Sequence, residues 1–482
     1  MATTLEQNPL YPINPATFKW FFVFKNDPIV SGVPTPYWNV KFGCVLFVTP
    51  IFSQLGAAST EVALTKTIPN NAGVGIFNLQ RFIESYTSPQ QLSFLDGTHV
   101  VRFHGEPRTE DFYFPIHVID KYSMNDNCAT YLEPRGFLEG AVASNLPAQT
   151  ISGTVQSGGK FMAFNGYWKN ELWYRKVGKN FGYDYETYYA PKSPSSYGIL
   201  SDAPLVQYAN DRDYGVISMF NQIFTNLSPV AYVSITGHFS NGSTQSFSVN
   251  NIDANGGVTT PNPGAPHCQE SILFFGIFPG NLRQSNSTFQ GWLNSGNLTH
   301  YTWYIATQGL KLSSRIHTIK LNCDPQGRKY ERIRIGWLNT MGGWDYYTFK
   351  MKSTESIKTK TNDWTQLEGS WNKDSWNPQG WKGGKKSYTV NAKKKYKVNT
   401  DFVNEEEAAW FEYMINSPEH YIIHPHEDWR EPATDKYNSF EKYVTAVRLL
   451  SSSYKKKTIA NDNVMQYSFE FEESRTLNTQ PI

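Results

Sequence analysis

Residues 332–351 read RIRIGWLNTMGGWDYYTFKM, a strand–turn–strand pattern in the region of the chain with the cleanest pattern. The first part, RIRIGW, alternates isoleucine with other residues, and the last part, WDYYTFKM, is rich in aromatic side chains. Both compositions suit a pleated, half-buried surface and predict strands. Between them, Gly342 and Gly343 supply the backbone freedom that a tight turn requires. We expect a β-hairpin anchored in a core by Trp337 and Trp344, and we treat these four residues as a marker of the fold.

The residues that follow extend this hairpin into a C-terminal β domain. Aromatic and polar residues alternate from Tyr467 to Glu472, which is typical of a strand with one buried face. A single helix is expected after Asn404, whose side chain caps it, with three glutamates in the first turn that complement the helix dipole. Pro418 ends this helix. Further strands are predicted at 387–400, 420–424, 442–450 and 464–473.

The preceding part of the chain also has β character, and we divide the whole chain into three domains. A first β domain is placed at 1–135, a middle β and loop-rich domain at 136–325, and the C-terminal domain at 326–482. In the middle domain Asn241-Gly242 marks the clearest hairpin, because Asn-Gly accepts the positive φ angles of a tight turn. The other predicted elements are strands at 18–24, 37–48, 61–67, 98–104, 112–119, 231–238 and 245–250, a short helix at 77–85, and surface loops at 251–268 and 285–300.

The composition indicates a mainly β protein and argues against several other classes. Aromatic residues make up 15% of the 482 residues and charged residues only 18%, which suits half-buried sheets. A formal net charge of +2 gives no overall attraction to DNA or anionic membranes. The fold class is therefore mainly β, with several β-sandwich or β-barrel-like domains and one packed helix in the last. Four widely spaced cysteines favour reduced, buried thiols over a zinc site or a disulfide scaffold: Cys44, Cys128, Cys268 and Cys323.

No export or membrane segment is predicted. The first residues, MATTLE, lack the basic start and apolar core of a signal peptide. The most apolar stretch, 44–52, is too short to span a bilayer and contains Pro50. We expect a protein that is made in a cytoplasm and has no stable membrane insertion.

Four segments, in order along the chain, resemble tail proteins of phages that infect Bacteroidetes, including crAss-like phages. The most distinctive is WLNTMGGWD at 337–345. The others are PNNAGVGIFNL and RFIESY within 69–86, LSDAP and DYGVIS within 200–218, and the capped helix that ends in INSP at 415–418. The long loops at 251–300 and a Trp- and Lys-rich insert at 364–397 depart from the family pattern.

The resemblance implies a β-rich structural subunit of a virion tail, assembled in the host cytoplasm. It implies a C-terminal domain of tail-tube or hub type, a ring of identical subunits, and other tail proteins as neighbours. It offers no catalytic residues. The station within the tail, whether tube, hub, collar or fibre adaptor, stays open. The alternative is a receptor- or carbohydrate-binding tail protein that uses aromatic-rich loops, with a host-surface glycan as its partner.

No catalytic, cofactor-binding or metal-binding site is predicted, so we expect a non-enzymatic protein without a cofactor. The chain contains no HExxH, P-loop or GxSxG motif. His424 and His426 flank Pro425, and a partly exposed loop is a simpler interpretation of this pair than a metal site. No carboxylate pair stands out as a glycosidase dyad.

Two groups of residues between 352 and 397 are candidates for assembly or partner contacts. The tryptophans either pack on their own domain, insert into a partner as anchors, or stack on sugar rings. Eleven lysines against four acids give this segment an excess of seven positive charges. That charge suits genomic DNA in a tail lumen, an acidic neighbouring subunit, or a solvated loop. The candidates are Trp364, Trp371, Trp376, Trp381, Lys385, Lys386, Lys393, Lys394 and Lys395.

Overall fold

The computed structural model contains 26 strands and five helices among the residues that it describes. The mainly β architecture expected from the sequence is therefore confirmed. The described residues are 3–26, 37–50, 60–87, 129–142, 155–167, 175–220, 230–250, 272–307, 312–322, 330–370, 373–423, 444–451, 465–475 and 477–478.

The chain divides into two compact units. The first comprises Met1–Asn322 and the turn Leu338–Asp345, and the second comprises Cys323–Trp337 and Tyr346–Ile482. The boundary predicted at 325–326 lies close to the start of the second unit. The boundary predicted at 135–136 falls inside one continuous strand, Ala129–Val142. The division of the first 325 residues into two domains stays a prediction.

Several small sheets build the first unit. Its strands are β1 (Thr3–Gln7), β2 (Ile13–Pro15), β3 (Phe21–Asn26), β4 (Tyr37–Pro50), β5 (Thr60–Thr67), β6 (Val74–Asn78), β7 (Ala129–Val142), β8 (Gln156–Ser157), β9 (Phe161–Phe164), β10 (Arg175–Val177), β11 (Asn180–Gly182), β12 (Val206–Ala209), β13 (Ile217–Phe220), β14 (Val230–Phe239), β15 (Thr244–Asn250), β16 (Ile272–Phe275), β17 (Leu298–Thr307) and β18 (His317–Leu321). Its helices are α1 (Gln80–Glu84), α2 (Tyr185–Tyr189), α3 (Pro279–Ser285) and α4 (Ser287–Asn294).

The two sheets at the start of the first unit share one core. One has the strand order β1-β3-β6, and the other has the order β2-β9-β7-β4-β5 with β8 beside β7. Buried residues alternate along both, because every second side chain of a strand points to the same face. The alternating core residues are Phe18, Trp20, Phe22 and Phe24 around β3, and Phe42, Cys44, Leu46 and Val48 in β4.

The rest of the first unit contains a five-stranded sheet, β12-β18-β17-β14-β15, and the pairs β13-β16 and β10-β11. The predicted hairpin is confirmed as β14 and β15, with Gly242 at φ +79° in its turn. The predicted loop at 285–300 is wrong, because α4 and the start of β17 occupy it. Asn286 accepts a hydrogen bond from the backbone N–H of Phe289 and caps α4, a local signal that the loop-like composition hides.

Other predictions for the first unit have mixed outcomes. Strands near 18–24, 37–48 and 61–67 are confirmed as β3, β4 and β5. The helix predicted at 77–85 begins only at Gln80, because Phe77 still belongs to β6. Cys44 is a free buried thiol, as expected, and burial raises its pKa to about 12. The described residues do not include strands 98–104 and 112–119, loop 251–268, or Cys128, Cys268 and Cys323.

Among its described residues, the second unit contains one sheet and one helix. Its elements are β19 (Ile333–Leu338), β20 (Trp344–Phe349), β21 (Thr354–Gln366), β22 (Gly384–Asn399), α5 (Glu405–Ile415), β23 (His420–Ile423), β24 (Val444–Leu449), β25 (Ser468–Glu473) and β26 (Leu477–Asn478). The turn between β19 and β20, Leu338–Asp345, belongs to the first unit. The sheet has the order β20-β19-β23-β24-β25-β22-β21, with β26 beside β22.

Helix α5 packs its aromatic side chains into the core of this sheet. The ring centroid of Trp410 lies 4.8 Å from that of Trp337, and Phe411 lies 5.6 Å from Phe469. The predicted N-terminus is confirmed, because Asn404 and Glu407 form a reciprocal capping box. The predicted β domain with one packed helix is therefore present in the second unit.

Candidate assembly surface

A long two-stranded ribbon with its connecting loop, residues 354–399, contains all nine predicted contact residues, and we call it the arm. Strands β21 and β22 pair in antiparallel fashion from Thr354 opposite Lys397 to Gln366 opposite Gly384. Thirteen residues of β21 span about 40 Å. β22 pairs with β25 only over residues 395–399 and with β26 at Asn391 and Ala392. Within the described chain, the outer half of the arm therefore has no neighbour in the sheet.

Exposure is the main physical property of the arm. Twelve of the thirteen residues of β21 are exposed, on both faces of the ribbon. β21 is not predicted from the sequence, because its segment TESIKTKTNDWTQ has no apolar alternation. Its β-branched threonines and Ile357 favour an extended strand without requiring a buried face.

The register separates a basic face of the arm from a more apolar face. Residues directly opposite each other in two paired strands point to the same side. Lys358 lies opposite Lys393, whereas Ile357 lies opposite Lys394, on the other side. The basic face contains Lys358, Lys360, Lys393, Lys395 and Lys397, and the apolar face contains Ile357, Val390, Ala392 and Tyr396.

Three of the candidate lysines form ion pairs inside the second unit. Lys393 Nζ lies 2.8 Å from Glu472, Lys395 Nζ lies 3.0 Å from Glu470, and Lys394 Nζ lies 2.7 Å from Glu355. The hydrogen bond from Lys393 holds the pKa of Glu472 below its usual range. Lys393 and Lys395 therefore join the arm to β25.

Other lysines of the arm keep their charge available for a partner. Lys358, Lys360 and Lys397 on the basic face, and Lys385 near the tip, form no ion pair among the described residues. Lys386 donates a hydrogen bond of 3.1 Å to the carbonyl oxygen of Trp381 and so holds the tip loop. The sequence gives the total charge of the segment, but the pairing follows from the β22–β25 register, which local patterns do not reveal.

Residues 367–383 connect the two strands and form the tip of the arm. Trp364, Trp376 and Trp381 are 44%, 54% and 72% exposed, and Trp371 lies outside the described residues. Trp376 Nε1 donates a hydrogen bond of 3.2 Å to the carbonyl oxygen of Glu368. Its indole covers Gly369, where a Cβ would lie 2.4 Å from Nε1. Trp376 thus organises the loop, whereas Trp364 and Trp381 line a cavity, and Trp381 is the most exposed of the three.

The two tryptophans among the predicted fold-marker residues are buried in the protein core. In the second unit, Trp337 is fully buried against Trp410. In the first unit, Trp344 is buried and Asn339 Oδ1 accepts hydrogen bonds from the backbone N–H groups of Met341 and Gly343.

A buried polar network holds this turn within the first unit. Asn339 Nδ2 donates 2.9 Å hydrogen bonds to the carbonyl oxygen of Leu200 and to Asp345 Oδ1, which also accepts from Ser201 at 2.6 Å. The LSDAP and WLNTMGGWD segments therefore meet in space. The polar groups of the two segments form hydrogen bonds with each other, so that these buried atoms have partners.

A metal site and a membrane-spanning helix each have structural requirements with which the described residues can be compared. In these ranges, no group of three or more His, Cys, Asp and Glu residues is placed to hold a metal ion. His424 and His426 lie outside them. Each described helix is too short or too polar to traverse a bilayer.

Comparison with known proteins gives no assignment: no protein-family model matches this chain, and no curated protein matches it.

Proposed function

We propose that this chain is a structural subunit of a phage tail, which acts by assembling into a symmetric oligomer and catalyses no reaction. The observation that carries the proposal is the arm. A two-stranded ribbon exposed on both faces gains little stability from its own contacts, so a neighbour that buries it would offset the cost of ordering it. The resemblance of four ordered segments to phage tail proteins supplies the context.

The outer edge of β21 supports a contact between chains. β21 is the last strand of its sheet, and no described strand lies on its outer side. An exposed edge presents unpaired N–H and C=O groups to which another chain can add. Lys358 and Lys360 on this strand discourage unspecific pairing, because charge on an edge strand opposes aggregation. The edge therefore favours a partner that neutralises these lysines.

Helix α5 offers the complementary charge on the same unit. Glu405, Glu406 and Glu412 are exposed. Glu405 and Glu412 are seven residues apart and lie on one face of the helix. Each copy thus carries a basic arm and an acidic helix face. An arm of one copy that contacts the helix of the next forms a head-to-tail interface, which closes into a ring when the rotation permits.

The first experiment measures the oligomeric state of the full-length chain by sedimentation velocity over a range of concentrations. Ile357→Lys removes an exposed apolar side chain from the arm and leaves the core intact, since Ile357 is 59% exposed. Ile68→Lys is the matched control, because Ile68 is 75% exposed and lies in the first unit. We expect the arm variant to dissociate at a concentration at least about tenfold higher than wild type and control, a change of about 1.4 kcal/mol.

A second measurement examines the particle itself. Cryo-electron microscopy of the phage that encodes this chain should reveal it in the tail as a ring or tube. Absence of the chain from the particle would overturn the phage-tail proposal. If the chain stays monomeric both alone and with other tail proteins, the proposed oligomeric assembly is overturned. The alternative partner of the basic face is genomic DNA in a tail lumen. Binding of the purified chain to double-stranded DNA, measured at several salt concentrations, tests this contact.

A further inference from the structure

The tip of the arm encloses an open cavity of about 780 Å3. That volume lies within the range of roughly 300–1,000 Å3 that is common for small-ligand clefts. The cavity belongs wholly to the second unit. Its main lining residues are Trp364, Gln366, Lys373, Gln379, Trp381 and Lys382.

The wall of the cavity is built before any ligand arrives. Ser370 and Asn377 exchange two hydrogen bonds, of 3.1 Å between backbone groups and 3.0 Å to Ser370 Oγ. Gln366 Oε1 accepts a 3.1 Å hydrogen bond from the backbone N–H of Gly383. The Gln366 amide therefore keeps its NH2 group as a donor. Residues held in this way lose less entropy on binding than mobile ones.

The chemistry of the lining combines aromatic faces with polar groups. Trp364 and Trp381 offer apolar indole faces, against which the C–H face of a sugar ring can pack. The side chains of Gln379, Lys373 and Lys382 form no hydrogen bond or ion pair with the other described residues. Amide groups both donate and accept, which matches sugar hydroxyls, and ammonium groups attract an anion.

This lining differs from that of a subunit interface. The centre of a protein–protein interface is depleted of lysine and rich in apolar groups. Here two lysines and two glutamines share the cavity with two tryptophans and Leu367. A neighbouring chain without acidic groups at this position would leave both ammonium groups desolvated and unpaired, whereas an anionic sugar would pair with them.

We propose that the tip cavity binds an acidic saccharide, a pyranose ring that carries a carboxylate or a phosphate. The indole of Trp381 stacks on the ring, Gln366 and Gln379 bind hydroxyl groups, and Lys373 and Lys382 bind the anionic group. This activity goes beyond assembly and uses the tip, whereas the proposed subunit contacts use the strands of the arm.

The test starts with the full-length chain on an array of defined saccharides, followed by isothermal titration calorimetry. The probes are oligosaccharides with glucuronic or galacturonic acid, hexose phosphates, and their neutral counterparts. Binding to the uronic acids, to the phosphates, or to both identifies the source of the anion. Trp381→Ala should weaken binding at least about tenfold, because it removes the more exposed stacking ring. Lys373→Gln with Lys382→Gln should reduce the affinity for the acidic probe to that of its neutral counterpart.

The matched control is Lys19→Gln with Lys176→Gln, which removes the same charge from exposed positions of the first unit and should leave saccharide affinity unchanged. The proposal is overturned if no saccharide binds, if Trp381→Ala binds like wild type, or if the control loses as much affinity as the cavity variant. Loss of oligomers in Trp381→Ala without any saccharide binding would make the tip a subunit anchor. A chain that binds the acidic probe but stays monomeric would contradict only the assembly function.

Discussion

His317 couples the stability of the first unit to pH. It lies in β18, is 1% exposed, and stacks on Trp303 with ring centroids 4.4 Å apart. Its Nε2–H donates a 2.9 Å hydrogen bond to the carbonyl oxygen of Tyr197, which fixes the orientation of the ring. Burial lowers the pKa of His317 to about 4.

Acidification should therefore destabilise the first unit. An unfolded histidine takes up a proton near pH 6.5, whereas the folded one does so only near pH 4, so stability is lost as the pH falls through this window. The full loss amounts to about 3 kcal/mol. His317→Gln should be less stable than wild type at pH 7.5, and the difference should shrink towards pH 4.5 in urea unfolding. Parallel pH profiles for the two proteins would contradict this assignment.

Gly342 and Gly242 form a natural pair for testing backbone constraint. Both have φ +79° in the turn of a hairpin. A Cβ at Gly342 would lie 1.4 Å from the carbonyl oxygen of Asn165, whereas a Cβ at Gly242 would meet nothing within 4 Å. Gly242→Ala should cost about 1–2 kcal/mol from the left-handed conformation alone. Gly342→Ala should cost clearly more, because the backbone must also move. Equal shifts in Tm would show that the turn adapts freely.

These residues also mark how far the sequence alone can be interpreted. Gly342 and Gly343, with Trp337 and Trp344 on either side, predict the turn, because a tight turn has a local cause. Nothing in the sequence indicates that Asn339 bonds to Leu200, since 139 residues separate them. The same limit applies to Lys393, whose acidic partner Glu472 is brought near only by the pairing of β22 with β25.

At the scale of secondary-structure elements, strong local signals predicted α5 and the β14–β15 hairpin well. α5 has both partners of a capping box within four residues, and the hairpin has Asn-Gly between alternating strands. β21 was missed because its exposed strand has no apolar face to produce a period of two. α4 was missed because its polar, Asn- and Ser-rich surroundings resemble a loop.

The cap of α5 provides an element-scale prediction. Asn404→Ala removes the 2.8 Å hydrogen bond that Asn404 Oδ1 accepts from Glu407 N–H. The loss should be about 1 kcal/mol, and amide exchange in the first turn of α5 should accelerate about fivefold. Hydrogen-exchange mass spectrometry of peptides that cover α5 measures this. The matched control is Asn416→Ala at the other end of the helix, where the asparagine side chain provides no cap bond. Equal acceleration in the two variants would count against the capping box.

At the scale of the whole molecule, the question is whether the charges of the arm and of α5 face each other in the proposed oligomer. The exposed pairs of such an interface contribute about 0.2–1 kcal/mol each, and they are repeated at every interface of a ring. Salt should therefore weaken assembly, because the screening length falls from about 8 Å at 0.15 M to about 3 Å at 1 M.

A charge swap turns this into a decisive test. Lys358→Glu with Lys360→Glu reverses the charge of these two arm positions. Glu405→Lys with Glu412→Lys reverses the charge of the exposed face of α5. Each pair of changes should place like charges at the interface and raise the dissociation concentration about tenfold or more in sedimentation velocity. All four changes in one chain should restore assembly, because every interface then regains opposite charges. Lys19→Glu, at an exposed position in the first unit, should have no effect. If the fourfold variant assembles no better than either pair, the two surfaces do not meet, and the edge of β21 is left for a different partner.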